Sequence, residues 1–202
     1  FHDEFLPSFN KPNVTLIDTA PLGVTEINEN GVVHSSTEYP VDVLIYATGF
    51  QWMATSTFNM ITGENGQTLK EKWETEGTKT FLGLHSKGFP NLFIISGPQG
   101  GGGQFNFTRI IESHSDYVIW MLKTLRERGA TKVDVETKAE NEYAEHCKIA
   151  DIKTRPLRDC ISYYNGHGEG EPGSLAYYGG AQKWHEHREE AQKTLKPYIF
   201  DE

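Results

Sequence analysis

Residues 41 to 50 read Val41-Asp42-Val43-Leu44-Ile45-Tyr46-Ala47-Thr48-Gly49-Phe50, an apolar run that ends in small residues. Such a run suits a strand covered on both faces, which points to a parallel sheet between helical layers. The same grammar returns at Asn91-Leu92-Phe93-Ile94-Ile95-Ser96-Gly97-Pro98. Gly at the carboxyl end of each run lets backbone approach a ligand where a Cβ would collide. These features predict an α/β fold. A Gly-rich phosphate loop after a first strand, the expected opening of a nucleotide-binding fold, is missing here. The chain therefore reads as the second half of a nucleotide-binding enzyme, and its start without Met fits a lost upstream piece.

Around these runs, residues 13–19 predict a short strand, and 31–34 with 37–39 a small antiparallel pair. Gly63-Glu64-Asn65-Gly66 reads as a turn, and 69–73 as a helical turn. The clearest helix follows residue 106. Phe107, Ile110, Ile111, His114, Tyr117, Val118, Met121, Leu122 and Leu125 recur at helical spacing, an apolar face for a sheet. Arg126 and Arg128 suit its negative end, and Gly129 suits its termination. Val133-Asp134-Val135 predicts a strand. Thr137-Lys138-Ala139-Glu140 reads as a capping box that starts a helix to about 152. A last helix spans about 182–195.

The junction from Ser96 to Phe107 places a strand, four glycines (Gly100 to Gly103) and a helix amino terminus in series. Helix amino termini offer unpaired N–H groups, and successive glycines leave room for a flat ring or a phosphate. A plain surface loop is the rival reading, and the position at the end of a buried strand favours the ligand loop. Gly168-Glu169-Gly170-Glu171-Pro172-Gly173 has the form of a dinucleotide fingerprint but lacks a preceding strand and carries two carboxylates. It reads as a loop that could serve as a lid. His185 and His187 stand two residues apart on a helix, the wrong spacing for a ligand pair, and read as solvated. His114 reads as a packed core residue. No metal-ligand set and no nucleophile triad stands out.

The net charge of −9 excludes a general nucleic-acid binder. No apolar run approaches the roughly 20 residues of a membrane-spanning helix. Cys147 and Cys160 read as free thiols of a reducing compartment, which predicts the cytoplasm.

In the order in which they occur, these stretches resemble the carboxyl-terminal portion of a Baeyer–Villiger monooxygenase of the phenylacetone and cyclohexanone monooxygenase type. The resemblance rests on residues 10–19, on Ala47-Thr48-Gly49-Phe50, on Leu69-Lys70-Glu71-Lys72-Trp73, on 80–84 and on 88–98. Ala-Thr-Gly-Phe alone also occurs in related flavin monooxygenases. The resemblance implies part of a doubly wound, FAD-binding, Rossmann-like fold with a helical carboxyl-terminal region. Residues 1–40 would lead from the NADP domain, 41–130 would form half of the FAD domain, and 131–202 a helical region with a control-loop-like segment at 160–180. It implies an enzyme in which FAD, reduced by NADPH, activates O2 and one oxygen atom enters beside a ketone carbonyl, giving an ester or lactone.

By the same resemblance, Ala47, Thr48, Gly49, Gly97, Pro98, Asn106, Phe107 and Tyr163 would contact the cofactors. Residues 99–104 would border the ketone, with Gly102, Gly103, Gln104 and Phe105 on the substrate side. The family has bulkier residues in this loop, so the glycines imply a more open or more mobile pocket. Trp is commoner in the family where Tyr163 stands, and Asn where Gly168 stands. The FAD fingerprint, the family signature and the arginine that stabilises the flavin–oxygen adduct would lie upstream. Arg109, Arg155 and Arg158 match no such motif, so no catalytic residue is expected here, and the fragment alone would be inactive. An N- or S-oxygenating flavin monooxygenase and a non-catalytic Rossmann-like binding module are the alternatives.

Overall fold

Ser35 and Ser36 both take left-handed backbone, φ 48° and 66°. Positive φ at both central residues is the turn that joins two twisted antiparallel strands in the shortest span. It links β2 (Gly31–His34) to β3 (Thr37–Pro40), in the register Gly31 to Pro40 and His34 to Thr37. On the other edge β1 (Glu26–Ile27) pairs antiparallel with β2. Gly31 is needed in this ladder, because a Cβ there would lie 2.1 Å from the Tyr39 carbonyl oxygen. The computed structural model describes residues 3–49, 56–101, 106–154 and 175–201. They fall into two compact units, Phe1–Thr48 and Gly49–Glu202.

The first unit holds this three-stranded meander and a one-turn helix, α1 (Phe5–Ser8). The predicted hairpin at 31–39 is present. The strands predicted at 13–19 and 41–47 are not formed, and the second run is exposed rather than buried, with Val43 at 75% and Ile45 at 82%. A strand forms only where a neighbour offers a matching ladder of N–H and C=O groups. Among the described residues, no strand pairs with either segment.

The second unit opens with α2 (Thr57–Met60) and α3 (Leu69–Glu76). Thr68 Oγ1 accepts the Glu71 N–H while Glu71 Oε2 accepts the Thr68 N–H, so the capping box sits here. Leu69 and Trp73 on α3 pack with Phe89 into a small cluster. The second apolar run, 91–96, also stays out of a ladder. Left-handed Asn91 (φ 59°) and Ser96 (φ 56°) bound it, and what lies between makes turn bonds, Leu92 N–H to the Phe89 carbonyl and Gly97 N–H to the Ile94 carbonyl, with one longer-range bond from Ile94 N–H to the Leu84 carbonyl.

Four further elements enclose the main core: α4 (Phe107–Arg128), β4 (Lys132–Val135), α5 (Thr137–Thr154) and α6 (Ala181–Thr194), closed by β5 (Tyr198–Asp201). β4 pairs antiparallel with β5 from Lys132 opposite Asp201 to Val135 opposite Tyr198. α4 ends at left-handed Gly129 (φ 68°), as its sequence predicts. Its buried face is Ile110, Ser113, His114, Tyr117, Met121, Thr124 and Leu125. That face is rotated from the predicted one, leaving Phe107 and Leu122 exposed at 63% and 54%.

Glu140 does not close a capping box on α5. Its carboxylate is buried against Lys72 Nζ at 2.9 Å and accepts the Lys87 N–H at 2.8 Å. Thr137 is the first residue of α5 rather than its cap, since Glu140 N–H donates to the Glu136 carbonyl, and the Glu140 carboxylate serves as the counter-charge that the buried Lys72 ammonium needs. His187 is likewise only partly exposed. α6 lies on α5, which sets the His187 ring 4.5 Å from the His146 ring. His185 is partly buried beside Trp184.

Candidate functional site

The loop at residues 96–101 carries two non-glycine residues in left-handed backbone, Ser96 (φ 56°) and Gln99 (φ 64°). Such positions cost about 1–3 kcal/mol each and persist only where the surroundings over-determine them. The surroundings do so here. Gln99 is 2% exposed. Its Oε1 accepts from Thr80 N–H and Thr80 Oγ1, and its Nε2 donates to the Thr78 carbonyl. Its own N–H donates to the Leu175 carbonyl at 3.0 Å, and its carbonyl accepts the Tyr143 hydroxyl at 2.9 Å. Ser96 N–H donates to His114 Nδ1 at 3.0 Å, and Tyr177 N–H to the Gly101 carbonyl at 3.1 Å.

Glycine is required along this loop because neighbours fill the Cβ positions. A Cβ on Gly97 would lie 2.5 Å from Ile94 Cγ2, on Gly100 2.7 Å from His114 Cε1, and on Gly101 2.5 Å from Ile110 Cδ1. On the facing segment, a Cβ on Gly83 would lie 2.0 Å from Gly100 Cα. The expectation that these glycines leave room for a ligand is thus corrected at Gly100 and Gly101. There the missing side chains make room for the protein's own packing. Gln99, expected to border a ketone, instead points inward and anchors the loop.

The loop leads to the start of α4. Asn106 is its N-cap, with Oδ1 accepting the Arg109 N–H at 3.2 Å, and Phe107 stands exposed in the first turn. Gly97, Pro98, Asn106 and Phe107 therefore flank one loop-to-helix junction. Ala47 and Thr48 close the first unit and Gly49 (φ 88°) opens the second, all exposed and outside any strand or helix. Gly102, Gly103, Gln104, Phe105 and Tyr163, like Cys160 and most of 160–180, lie outside the described residues. Sequence reasoning missed the clamp formed by Thr78, Thr80, Tyr143, Leu175 and Tyr177. A single glutamine between Gly-Pro and a glycine run was the one available signal.

Burial dominates the electrostatics. His114 has no exposed surface and stacks on Trp184 at 5.1 Å, as the core reading predicts. Desolvation pulls its pKa from 6.5 to about 4, opposed by the nearby Gly100 backbone. His85, hydrogen-bonded to the Tyr117 hydroxyl at 2.8 Å, is also pulled down by burial to about 4, with Asp134 opposing. The same burial raises the Cys147 thiol far above its usual range, so it is no nucleophile at neutral pH. A cleft of about 340 Å³ opens between α5 and α6, lined by Tyr143, His146, His187 and Glu190 among others. Among the described residues, no group of His, Cys, Asp and Glu side chains is arranged to hold a metal ion, and no helix is long and apolar enough to cross a membrane.

No protein-family model matches the chain. Pentalenolactone D synthase of Streptomyces arenae is 37% identical over 191 residues, 89% of this chain and 32% of that protein. Baeyer–Villiger monooxygenases of Penicillium patulum and Streptomyces coelicolor are 34% and 35% identical, over 97% and 92% of this chain. The chain thus spans about a third of the length of the curated relatives it matches. Among solved structures, a steroid monooxygenase bound to NADP superposes with a TM-score of 0.81 at 28% identity, covering 98% of this chain and 37% of that one. Cyclohexanone monooxygenase from Rhodococcus sp. Phi1 bound to NADP+ shares the fold, with a TM-score of 0.83 at 22% identity over 98% of this chain and 38% of that one. By sequence and by fold, the chain is identified with the Baeyer–Villiger monooxygenase family and matches about a third of a member's length.

Proposed function

We propose that this chain is the carboxyl-terminal part of an NADPH- and FAD-dependent Baeyer–Villiger monooxygenase, which inserts one oxygen atom of O2 beside a ketone carbonyl to give an ester or lactone. The observation that carries the reading is the strained, clamped loop at 96–101, which in sequence precedes the capped amino terminus of α4 at Asn106. Its residues fit a flavin. Phe107 offers an exposed ring in the first turn of α4, beside N–H groups at the positive helix end. FAD would supply oxygen activation and NADPH the hydride. Gly97, Pro98, Asn106 and Phe107 would hold the flavin side, and Ala47, Thr48 and Gly49 are each proposed as cofactor-contacting residues of the 41–49 segment. Tyr163 would contact NADP, and Gly102, Gly103, Gln104 and Phe105 would border the ketone.

In this reading residues 1–40 lead back from the NADP domain, 41–130 complete the FAD domain, and 131–202 form a helical region that includes the 160–180 segment. The clamp on Gln99 keeps the loop backbone fixed, so a substrate meets a preorganised wall. The buried, unpaired Cys147 fits the reducing cytoplasm. The decisive experiment uses the full-length protein with a ketone panel, 18O2 and NADPH. Ketone-stimulated NADPH oxidation, with one labelled oxygen in the ester or lactone, is expected. Oxidation that no ketone stimulates would sink the reading. The isolated chain is expected to bind FAD weakly or not at all, and stoichiometric yellow colour would overturn its assignment as a fragment.

A further inference from the structure

The clamped loop rests on one side chain that no recognised motif includes. His114 projects from α4, is fully buried, and stacks on Trp184 of α6 with the ring planes 29° apart. The Ser96 N–H donates to its Nδ1, so the neutral ring carries its proton on Nε2. Gly100 lies against the Cε1 and Nε2 atoms of the same ring, since a Cβ there would sit 2.7 Å from Cε1 and 3.3 Å from Nε2. One imidazole therefore touches the loop at both ends, through a hydrogen bond at Ser96 and van der Waals contact at Gly100. Its Nε2 is turned toward the Gly100 backbone, which opposes the effect of burial, but no group meets it in good hydrogen-bond geometry; the buried Nδ1 of His185 likewise lacks one. Both histidines line a cavity of about 30 Å³ together with Ser113 and Trp184. That volume is enough for one water molecule.

We propose that His114 is a positioning residue of the monooxygenase site, setting the height of the 96–101 loop over α4 through the Ser96 amide at Nδ1 and through the contact of its Cε1 and Nε2 with Gly100. It touches neither cofactor nor substrate in this assignment, and it acts by fixing left-handed Ser96. The inference rests on the functional reading above for its kinetic consequence, but not for its structural one. Loss of the Nδ1 acceptor leaves the Ser96 N–H unpaired while the left-handed backbone still costs energy, so the loop relaxes.

The test uses the full-length protein and the substitutions His114→Phe and His114→Asn. Phenylalanine keeps the stack on Trp184 and loses the acceptor. Asparagine loses the stack, and its Oδ1 replaces Nδ1 as the acceptor. Hydrogen exchange at the Ser96 amide is expected to speed up at least tenfold in His114→Phe and to stay near wild type in His114→Asn. The ketone KM is expected to rise at least fivefold in His114→Phe, with an altered flavin absorbance band, and to return toward wild type in His114→Asn. Unchanged Ser96 exchange in His114→Phe, or equal losses in both variants, would overturn the positioning role. Exchange that behaves as expected in a protein without ketone-dependent activity would instead overturn the functional reading and leave the structural role standing.

Discussion

At the scale of single residues, the least replaceable side chains are those that close a network. Lys72 and Glu140 are 5% and 3% exposed, and their ion pair ties α3 to α5. Lys72 also donates to Ser86 Oγ and the Lys87 carbonyl. Removing one charge strands the other, which costs about 3–5 kcal/mol for a buried pair. Glu140→Leu is therefore expected to lower stability by that order in urea titration. The double variant Lys72→Met/Glu140→Leu should regain part of the loss, and equal stability of single and double variants would refute the coupling. Gly83 is a second case. Its φ of 72° and the 2.0 Å from a new Cβ to Gly100 Cα mean that Gly83→Ala strains one backbone and pushes another. The φ alone costs about 1–3 kcal/mol. Thermal melting together with the ketone KM of the full-length protein checks the expectation that both worsen.

At the scale of elements, α4 is the part best read from sequence, because its apolar spacing and terminal Gly129 are local properties. Its start is local too. Asn106→Ala is expected to cost about 1 kcal/mol through the lost N-cap bond, whereas Asn106→Asp should hold or gain against the helix dipole. Chemical denaturation separates the two outcomes. The rotation of its buried face was not legible, because periodicity gives a stripe and the packing partners decide which edge is covered. Ser113 and Thr124 are buried there, and Thr124 satisfies its hydroxyl on the Trp120 carbonyl. The capping boxes show the same limit. Thr68–Glu71 and Thr137–Glu140 are alike in pattern, but α5 starts one residue earlier, with Glu140 N–H on the Glu136 carbonyl, and the Glu140 carboxylate is taken up by Lys72 and the Lys87 N–H. The strands predicted at 41–47 and 91–96 rest on composition, which shows that a segment could be buried and cannot supply the neighbour whose ladder would make it a strand.

At the scale of the whole molecule, the buried imidazoles make stability depend on pH. In the unfolded chain His85 and His114 take up protons near pH 6.5, whereas in the folded chain they stay neutral down to about pH 4. The unfolded state binds more protons within that window, so stability is full above about pH 6.5 and falls as the pH drops toward 4. The loss is about 3 kcal/mol for each imidazole over the window. Urea midpoints at pH 7.0, 5.5 and 4.5 should show the decline, with a shallower slope in His85→Phe. An unchanged slope in that variant would remove His85 from the account.

The sequence by itself determined α4, α5 and α6, the hairpin around 35–36, the end of α4 at Gly129, and the family. These depend on spacing, on backbone freedom and on motifs that sit within a few residues of one another. Only the tertiary structure decided what the glycines at 100 and 101 are for, where Glu140 points, and that Gln99 faces inward. Those answers depend on groups distant in sequence, with Thr80, His114, Tyr143 and Leu175 converging on one loop. A glycine that admits a ligand and a glycine that admits a neighbouring side chain are the same letter. The atoms that fill the missing Cβ position tell them apart.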